Sequence, residues 1–315
     1  MAPVLAGLYA IVDVPHPHGL DPPAVTRAVL GDRLDGGAHG AAVVQLRAKH
    51  ATTAERVQWL RAMAGPCRDA GVPLVANDDV EAAIEAEVDG LHLGQDDAGA
   101  DAIASIRERA PKLLVGLSTH DLVQLRDADR QQPDYLAYGP VGITRSKQNP
   151  DPVVGLAGLT DACRATAKPL VAIGGLDERL ASRVVELGAA MAAVISALVH
   201  ADLEATRRTA IQMSRSLEDA ARPLDLDEVA ARIPVISRDT LAEIARWSDS
   251  LSIHLGLKLP ARFAPRVEEG RVLYRPSDVV DLCDALGKHP RETWDDWRSR
   301  DGDDNADGLV RLRRS

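Results

Sequence analysis

The stretch GLHLGQDD, Gly90–Asp97, begins as a short apolar strand and ends in two adjacent carboxylates. Leu91 and Leu93 alternate with His92, which is the period of two typical of a strand, and a glycine then ends the run. Acidic side chains directly after a buried strand are typical of the carboxyl end of a parallel sheet, where α/β proteins bind ligands. The stretch therefore predicts a parallel sheet with a polar opening at one end.

Seven similar apolar runs lie before and after this stretch, and segments with helical periodicity separate them. The eight runs begin at Gly7, Ala42, Pro73, Gly90, Leu113, Tyr135, Pro169 and Met191. Eight βα units in about 220 residues predict a (β/α)8 TIM barrel. An open doubly wound sheet is the alternative, but the G-x-G-x-x-G turn that often follows its first strand is absent.

The composition is that of a globular protein of 315 residues, 45% apolar and 27% charged. A net charge of −10 disfavours general binding to nucleic acid or to an anionic membrane, and the N-terminal apolar run is too short to span a bilayer. Cys67, Cys163 and Cys283 are odd in number and widely spaced, so the sequence indicates neither a disulfide framework nor a zinc site. We expect a cytoplasmic protein that acts on small molecules.

Three polar side chains share one face at the end of the second strand. The period of two places Gln45, Arg47 and Lys49 on one side, whereas Val44 and Leu46 point to the other. Because strands of a TIM barrel carry active-site residues at their carboxyl ends, these three side chains are candidates for binding a ligand.

Carboxylates follow the next two strands. Asn77 and Asp78 end the third strand, and Asp96 and Asp97 end the fourth. Oxygen ligands from two carboxylates, with open positions for water and phosphate, are what Mg²⁺ usually takes. The pattern predicts a magnesium ion that holds a diphosphate. The alternative, for one of the two residues after the fourth strand, is a helix cap.

Two further stretches are candidates for binding phosphate. The seventh strand ends in Gly174 and Gly175, and the eighth leads through Ile195 and Ser196 toward a helix. Loops after the last two strands form the recurrent phosphate site of these barrels. The loop after the sixth strand contributes two hydroxyls and an ammonium that can donate to phosphate oxygens, from Thr144, Ser146 and Lys147.

The motifs QLRAK, VANDD, DGLHLGQDD, VGLSTH, YGPVGITRSK, VAIGG and VISA follow one another in this order. Together they resemble the thiamine-phosphate synthase family over roughly residues 7 to 215. The resemblance implies a (β/α)8 enzyme, a transferase of thiamine biosynthesis. Such an enzyme joins hydroxymethylpyrimidine diphosphate to thiazole phosphate and releases pyrophosphate.

The resemblance also implies a set of site residues. Mg²⁺ would lie on Asp78 and Asp97, and the catalytic residues would be Arg47, Lys49, Ser118 and Lys147. The pyrimidine diphosphate would be held by Gln45, Arg47, Lys49 and Asn77, with Ser118 and Lys147 near the pyrophosphate. The thiazole phosphate would be surrounded by Thr144, Ser146, Gly175, Ile195 and Ser196.

Two other functions are compatible with the sequence. A thiazole tautomerase on the same fold would keep the phosphate loops but would not need the cationic and metal-binding residues together. A non-catalytic sensor of thiamine precursors is suggested by the extra C-terminal segment. Turnover with both substrates separates the three functions.

The resemblance ends near residue 222, and the chain beyond it divides in two. With the barrel spanning residues 1–221, we predict a small, mostly helical domain of unknown role over residues 222–300, preceded by RPLDLD as a linker. A strand followed by PSDV weakly resembles winged helix-turn-helix domains of excisionase type. Residues 222–315 carry 16 basic and 18 acidic side chains, which favours a protein partner or self-association over nucleic acid. Residues 301–315 are predicted to be a disordered tail.

Overall fold

The computed structural model describes residues 5–95, 102–144, 151–233, 238–246, 259, 263–269 and 271–286. The chain divides into two compact units, Met1–Ala220 and Ala221–Ser315. Whether residues 222–300 act as a domain with a role of their own stays a prediction, and the predicted disordered tail lies outside the described residues.

Eight parallel strands of the first unit close into a barrel in sequence order. They are β1 (Gly7–Asp13), β2 (Val43–Arg47), β3 (Leu74–Asn77), β4 (Gly90–Leu93), β5 (Leu114–Thr119), β6 (Tyr135–Tyr138), β7 (Leu170–Ile173) and β8 (Met191–Val194). The barrel closes where Gly7 of β1 pairs with Met191 of β8. The predicted (β/α)8 barrel is confirmed, and each predicted strand start lies within one residue of the observed one.

A helix follows each strand within the described part of this unit. The helices are α1 (Pro22–Val29), α2 (Thr53–Asp69), α3 (Val80–Glu85), α4 (Ala102–Arg109), α5 (Leu122–Arg130), α6 (Gly155–Ala165), α7 (Glu178–Glu186) and α8 (Leu203–Ala221). Several begin at a side-chain cap that accepts from exposed backbone N–H groups. Thr52 forms a capping box with Glu55, and Asp79 and Asp177 cap α3 and α7.

The alternation of side chains along the strands divides the apolar residues into two clusters. Leu8, Ala10 and Val12 of β1 belong to a large cluster that also contains the apolar faces of the helices. Tyr9 and Ile11 of the same strand belong to a second cluster made of strand residues, which fills the barrel interior. The packed interior leaves the carboxyl ends of the strands as the opening.

The second unit combines helices with a small antiparallel sheet. Its described elements are β9 (Leu224–Asp225), α9 (Leu226–Arg232), α10 (Arg238–Arg246), β10 (Arg266–Glu268), β11 (Arg271–Tyr274) and α11 (Pro276–Ala285). The strands pair in the order β10, β11, β9. The prediction of RPLDLD as a linker is wrong in part, because Leu224 and Asp225 pair with β11. Across the described ranges, none of the helices has the length and apolar character that crossing a membrane requires.

Candidate active site

A cavity of about 360 Å³, called the mouth cavity here, lies at the carboxyl ends of the barrel strands. It is lined by residues from β1 to β8 and the loops after them. Ten of the residues predicted to act at the site line it: Gln45, Arg47, Lys49, Asn77, Asp78, Ser118, Thr144, Gly175, Ile195 and Ser196. The other three, Asp97, Ser146 and Lys147, lie outside the described residues. The roles assigned to all thirteen stay predictions.

Amide and carboxylate groups form a hydrogen-bonded row across β2, β3 and β4. Gln45 is 1% exposed and donates from Nε2 to Asn77 Oδ1 at 2.9 Å. Asn77 in turn donates from Nδ2 to a carboxylate oxygen of Asp78. The other oxygen of Asp78 accepts from the backbone N–H of Gly94 at 3.2 Å. The row leaves little rotational freedom to the three side chains before a ligand arrives.

The backbone of Asp78 adopts an unusual conformation. Its φ of 63° lies in the left-handed region, which residues other than glycine rarely adopt and which carries strain. The turn is held by a hydrogen bond from the Asp78 backbone N–H to the carbonyl oxygen of His92, at 2.9 Å. This conformation directs the carboxylate into the mouth cavity. Strain of this kind concentrates at functional sites.

A salt bridge joins the ends of the first two strands. Nη1 of Arg47 lies 2.6 Å from Oδ1 of Asp13. Farther out, the exposed Lys49 is held through its backbone, because its carbonyl oxygen accepts from Nη2 of Arg56 at 3.2 Å. Arg56 also pairs with Asp79 at 2.9 Å. Two cations therefore stand at one side of the mouth cavity, each supported by a partner.

Asp79, the residue that caps the start of α3, has a lowered pKa. Burial by itself raises the pKa of the Asp79 carboxyl, but the hydrogen bonds that it accepts outweigh this effect and lower the pKa overall. The donors are the Ala82 N–H, the Arg56 guanidinium and the Thr53 hydroxyl. The carboxylate form is therefore favoured, and it ties the start of α3 to the loop that carries Lys49.

His92 lies beneath the cavity rather than at its rim. The imidazole is 7% exposed, and burial lowers the pKa of His92 to about 4. Its Nε2 is 2.9 Å from the hydroxyl of Ser118, and its Nδ1 is 3.2 Å from that of Tyr135. Because the folded-state pKa is far below neutrality, the ring is uncharged at neutral pH.

The opposite side of the cavity is made of backbone and hydroxyl groups from the last strands. Gly175 has a φ of 66°, and a Cβ on it would overlap the carbonyl oxygen of Ile143. The segment after β6 also pairs with this loop, since Gly142 donates to the Gly174 carbonyl at 2.8 Å. Ser196 opens a short 3-10 turn. Close backbone approach and N–H groups at a turn suit an anion.

Sequence reasoning assigned no role to several residues that the structure brings to this site. His120 donates from Nδ1 to the carbonyl oxygen of Gly139 at 2.6 Å, and its Nε2 is 3.4 Å from Asp151. His120 follows Ser118 by two residues, directly after the end of β5, so the period of two is a signal in the sequence that could have placed both on one side. The same spacing places Asp13 on the face of Tyr9 and Ile11, but its partner Arg47 is distant in sequence.

The matching family model carries the description thiamine monophosphate synthase and covers residues 8–198, more than half of the chain. The chain belongs to the thiamine monophosphate synthase family. It is therefore an enzyme, a transferase of thiamine biosynthesis, and the resemblance read from its motifs is confirmed.

Named relatives agree with the family. A thiamine-phosphate synthase from Chloroflexus aurantiacus is 37% identical over 195 residues, which cover 62% of this chain and 86% of the relative. A thiamine-phosphate synthase from Bacillus mycoides is also 37% identical over 195 residues, covering 60% and 86%. Among solved structures, a thiamine phosphate pyrophosphorylase from Pyrococcus furiosus matches with a TM-score of 0.59 and 28% identity, over 70% of this chain and 99% of that one. The family match, over residues 8–198, lies within the first unit.

Proposed function

We propose that this chain joins hydroxymethylpyrimidine diphosphate to thiazole phosphate, forming thiamine phosphate and releasing pyrophosphate. The observation that carries the proposal is the division of the mouth cavity into two polar sides. Cationic, amide and carboxylate groups follow β2 to β4, whereas glycine backbone and hydroxyl groups follow β6 to β8. Two phosphorylated substrates of different shape match two such sides.

The cationic side suits a departing diphosphate. Breaking the bond between the pyrimidine methylene carbon and the diphosphate oxygen leaves the electron pair on that oxygen, so negative charge builds on the leaving group. The side chains of Arg47 and Lys49 are placed to stabilise this charge electrostatically. Lys147, predicted for the same role, lies outside the described residues.

The amide row suits the pyrimidine ring. Gln45 donates from Nε2 to Asn77, and among the described residues its carbonyl oxygen has no hydrogen-bond donor, so this oxygen can accept from a ring amino group. Because Gln45 lines the mouth cavity, this oxygen can meet a ligand that carries a matching donor. This feature supports recognition of an aminopyrimidine.

Capture of the pyrimidine cation completes the reaction. The thiazole nitrogen donates its lone pair to the methylene carbon, forming the new carbon–nitrogen bond. The hydroxyl of Ser196 and the backbone around Gly175 would hold the thiazole phosphate on its side of the cavity. The reaction needs no protein nucleophile, because holding the two substrates face to face accelerates it by proximity.

The family resemblance implies a magnesium ion, and the chemistry of Asp78 fits one. Its carboxylate faces the mouth cavity, and oxygen ligands from carboxylate and phosphate are what Mg²⁺ prefers. Among the residues the structure describes, no group of three or more His, Cys, Asp or Glu side chains is placed to hold a metal. Asp78 would thus contribute one ligand, with Asp97, outside the described residues, as the second. When bound, Mg²⁺ neutralises charge on the diphosphate.

The test is turnover of the full chain with the pyrimidine diphosphate, thiazole phosphate and Mg²⁺, followed by measurement of both products. We expect pyrophosphate and thiamine phosphate in equal amounts, and no product when either substrate is omitted or when EDTA removes the metal. Isomerisation of a thiazole phosphate without condensation would identify a tautomerase instead. Binding of both substrates without turnover would identify a sensor and contradict the proposal.

For the second unit we propose protein binding or self-association. Among the described residues of this unit, the exposed arginines are paired with carboxylates, as in Arg238 with Asp227 at 2.5 Å and Arg271 with Asp225 at 3.8 Å. Such pairs weaken the positive field that DNA binding needs. Sedimentation of the full chain and of a chain ending at residue 222 tests self-association.

We also propose a cytoplasmic location. Cys67, Cys163 and Cys283 are buried and form no disulfide, which suits a reducing compartment. Fractionation of cells that produce the full chain tests this location.

A further inference from the structure

A row of hydrogen-bonded side chains runs from the barrel interior to the mouth cavity. The hydroxyl oxygens of Tyr9 and Tyr135 are 2.9 Å apart. Tyr135 lies 3.2 Å from Nδ1 of His92, and Nε2 of His92 lies 2.9 Å from the Ser118 hydroxyl. The two tyrosines are each 2% exposed, whereas Ser118 is partly exposed and lines the cavity. We call these four residues the tyrosine-histidine row.

The contacts of this row depend on a glycine in β5, which leaves room for the Tyr135 ring. Gly116 of β5 pairs with His92 on one side and with Tyr135 on the other. A Cβ on Gly116 would overlap the ring of Tyr135. The ring therefore lies across β5 and stacks on the imidazole, with centroids 5.6 Å apart and an angle of 15° between the planes. Without the glycine, Tyr135 would not reach His92.

The Tyr9 hydroxyl, at the interior end of the row, determines the direction of the hydrogen bonds along it. Among the described residues, the Tyr9 hydroxyl has the Tyr135 hydroxyl as its hydrogen-bond partner. A buried O–H without an acceptor is costly, so Tyr9 donates to Tyr135. Tyr135 must then donate its own hydrogen bond to Nδ1 of His92, because the Tyr9 hydrogen already lies between the two hydroxyl oxygens. If Nδ1 carried a hydrogen, the N–H of His92 and the O–H of Tyr135 would point at each other with no acceptor between them.

With Nδ1 as the acceptor, a neutral imidazole carries its hydrogen on Nε2. Nε2 therefore donates to the Ser118 oxygen, and the Ser118 hydrogen is turned away from the row. No carboxylate lies within hydrogen-bonding distance of the imidazole among the described residues, so a second ring proton would be an uncompensated buried charge.

We infer that the tyrosine-histidine row positions the Ser118 hydroxyl as a hydrogen-bond donor into the mouth cavity. Its acceptor there is an anionic oxygen of the substrate, the leaving diphosphate, and this part of the inference rests on the proposed function. His92 and Tyr135 are positioning residues, since they act through Ser118. No proton is transferred along the row, so it holds one hydrogen-bond direction throughout the reaction.

The direction is tested by ¹⁵N NMR of the histidine rings in the full chain, which has nine histidines. The His92 signals are assigned by their loss in His92→Gln. We expect the hydrogen on Nε2 and an acceptor Nδ1 at neutral pH. In Tyr135→Phe the Nδ1 signal should move toward that of a nitrogen without a hydrogen bond. A hydrogen on Nδ1, or on both nitrogens, in the unaltered chain would overturn the inference.

The positioning role is tested by kinetics with the pyrimidine diphosphate. Tyr135→Phe should lower kcat/KM roughly 10-fold, the cost of misdirecting one hydrogen bond to a charged group. Tyr9→Phe should cost less, about 3-fold, because Tyr135 can still donate to His92. The control is Tyr138→Phe, which should leave kcat/KM unchanged. Tyr138 is a buried tyrosine of the same strand, but it belongs to the large cluster that contains the apolar faces of the helices.

A double variant separates positioning from a general loss of packing. Ser118→Ala combined with Tyr135→Phe should be no slower than Ser118→Ala alone, because the row acts through the hydroxyl that is already gone. Additive losses, or a Tyr135→Phe variant as fast as the unaltered chain, would overturn the inference. If the chain proved not to be a synthase, the NMR result would still decide the direction of the row, so the two failures are distinguishable.

Discussion

Arg47 and Asp13 form a salt bridge of 2.6 Å at paired positions of neighbouring strands, beside the mouth cavity. Both side chains are partly buried, at 16% and 27% exposure. The pair holds the guanidinium in one place before any ligand binds, which reduces the entropy lost on binding.

The first prediction follows from this pair. Asp13→Asn keeps the size of the side chain but removes its charge, so Arg47 should be less well ordered. We expect KM for the pyrimidine diphosphate to rise roughly 3- to 10-fold, as for a weakened charge-assisted hydrogen bond, with a smaller change in kcat. The control is Asp35→Asn, which breaks the exposed pair of Asp35 with Arg207. Equal effects in both variants would argue against the positioning role of Asp13.

The second prediction separates the two sides of the mouth cavity. Arg47→Ala should mainly impair use of the pyrimidine diphosphate, because it removes a cation from the β2 side. Ser196→Ala should mainly raise KM for thiazole phosphate, because the hydroxyl follows β8. Steady-state kinetics with each substrate varied in turn measures the split. A similar loss for both substrates in both variants would show that the division is wrong.

The third prediction concerns the metal. Asp78→Asn keeps the shape, and Asn tolerates the left-handed backbone at φ 63° better than most residues. Losing a carboxylate ligand should cost about 3–4 kcal/mol of transition-state stabilisation and slow turnover roughly 10²- to 10³-fold. Turnover is measured across a magnesium titration, with circular dichroism to check the fold. Near-normal turnover at low magnesium would remove Asp78 from the metal site.

The fourth prediction is a pH dependence of stability. Asp79→Ala removes the α3 cap and the partner of Arg56, and should cost about 1–2 kcal/mol of unfolding free energy at neutral pH. Because the folded-state pKa of Asp79 is lowered, its contribution is full above its unfolded pKa and is lost as the pH falls through the folded value. Urea unfolding of both chains should therefore give a difference that shrinks below about pH 4.

The control for this measurement is Asp177→Ala. It removes the cap of α7, whose carboxylate accepts from the Leu180 N–H at 2.8 Å. A cap by itself contributes less than a cap joined to an arginine, so the loss should be smaller, about 1 kcal/mol. Equal losses, or a difference between Asp79→Ala and the unaltered chain that grows at low pH, would contradict the assignment.

The fifth prediction concerns the second unit. The barrel is complete by the end of α8 at Ala221, and all the described residues of the mouth cavity precede that point. A chain that ends near Arg222 should fold and keep synthase activity within about 3-fold of the full chain, less than one ordinary hydrogen bond is worth. Thermal unfolding and product formation are measured together. A soluble, stable truncation without turnover would show that residues 222–315 contribute to the site.

The sequence alone determined the barrel and the sidedness of its polar residues. Eight apolar runs of period two, separated by helical segments, admit few arrangements other than a closed parallel sheet. The same period assigned Gln45 and Arg47 to the face opposite Leu46, and both line the mouth cavity. Local spacing suffices here because alternation along a strand is a property of the backbone itself.

Only the tertiary structure decided how these residues are paired. Tyr9 and Tyr135 are 126 residues apart in sequence, and no local pattern indicates that their hydroxyls meet. The salt bridge of Asp13 and Arg47, and the passage of the Tyr135 ring over Gly116, depend likewise on strand register. Register is set by packing and closure of the whole barrel, so the direction of hydrogen bonds inside it becomes determined only when all eight strands are in place.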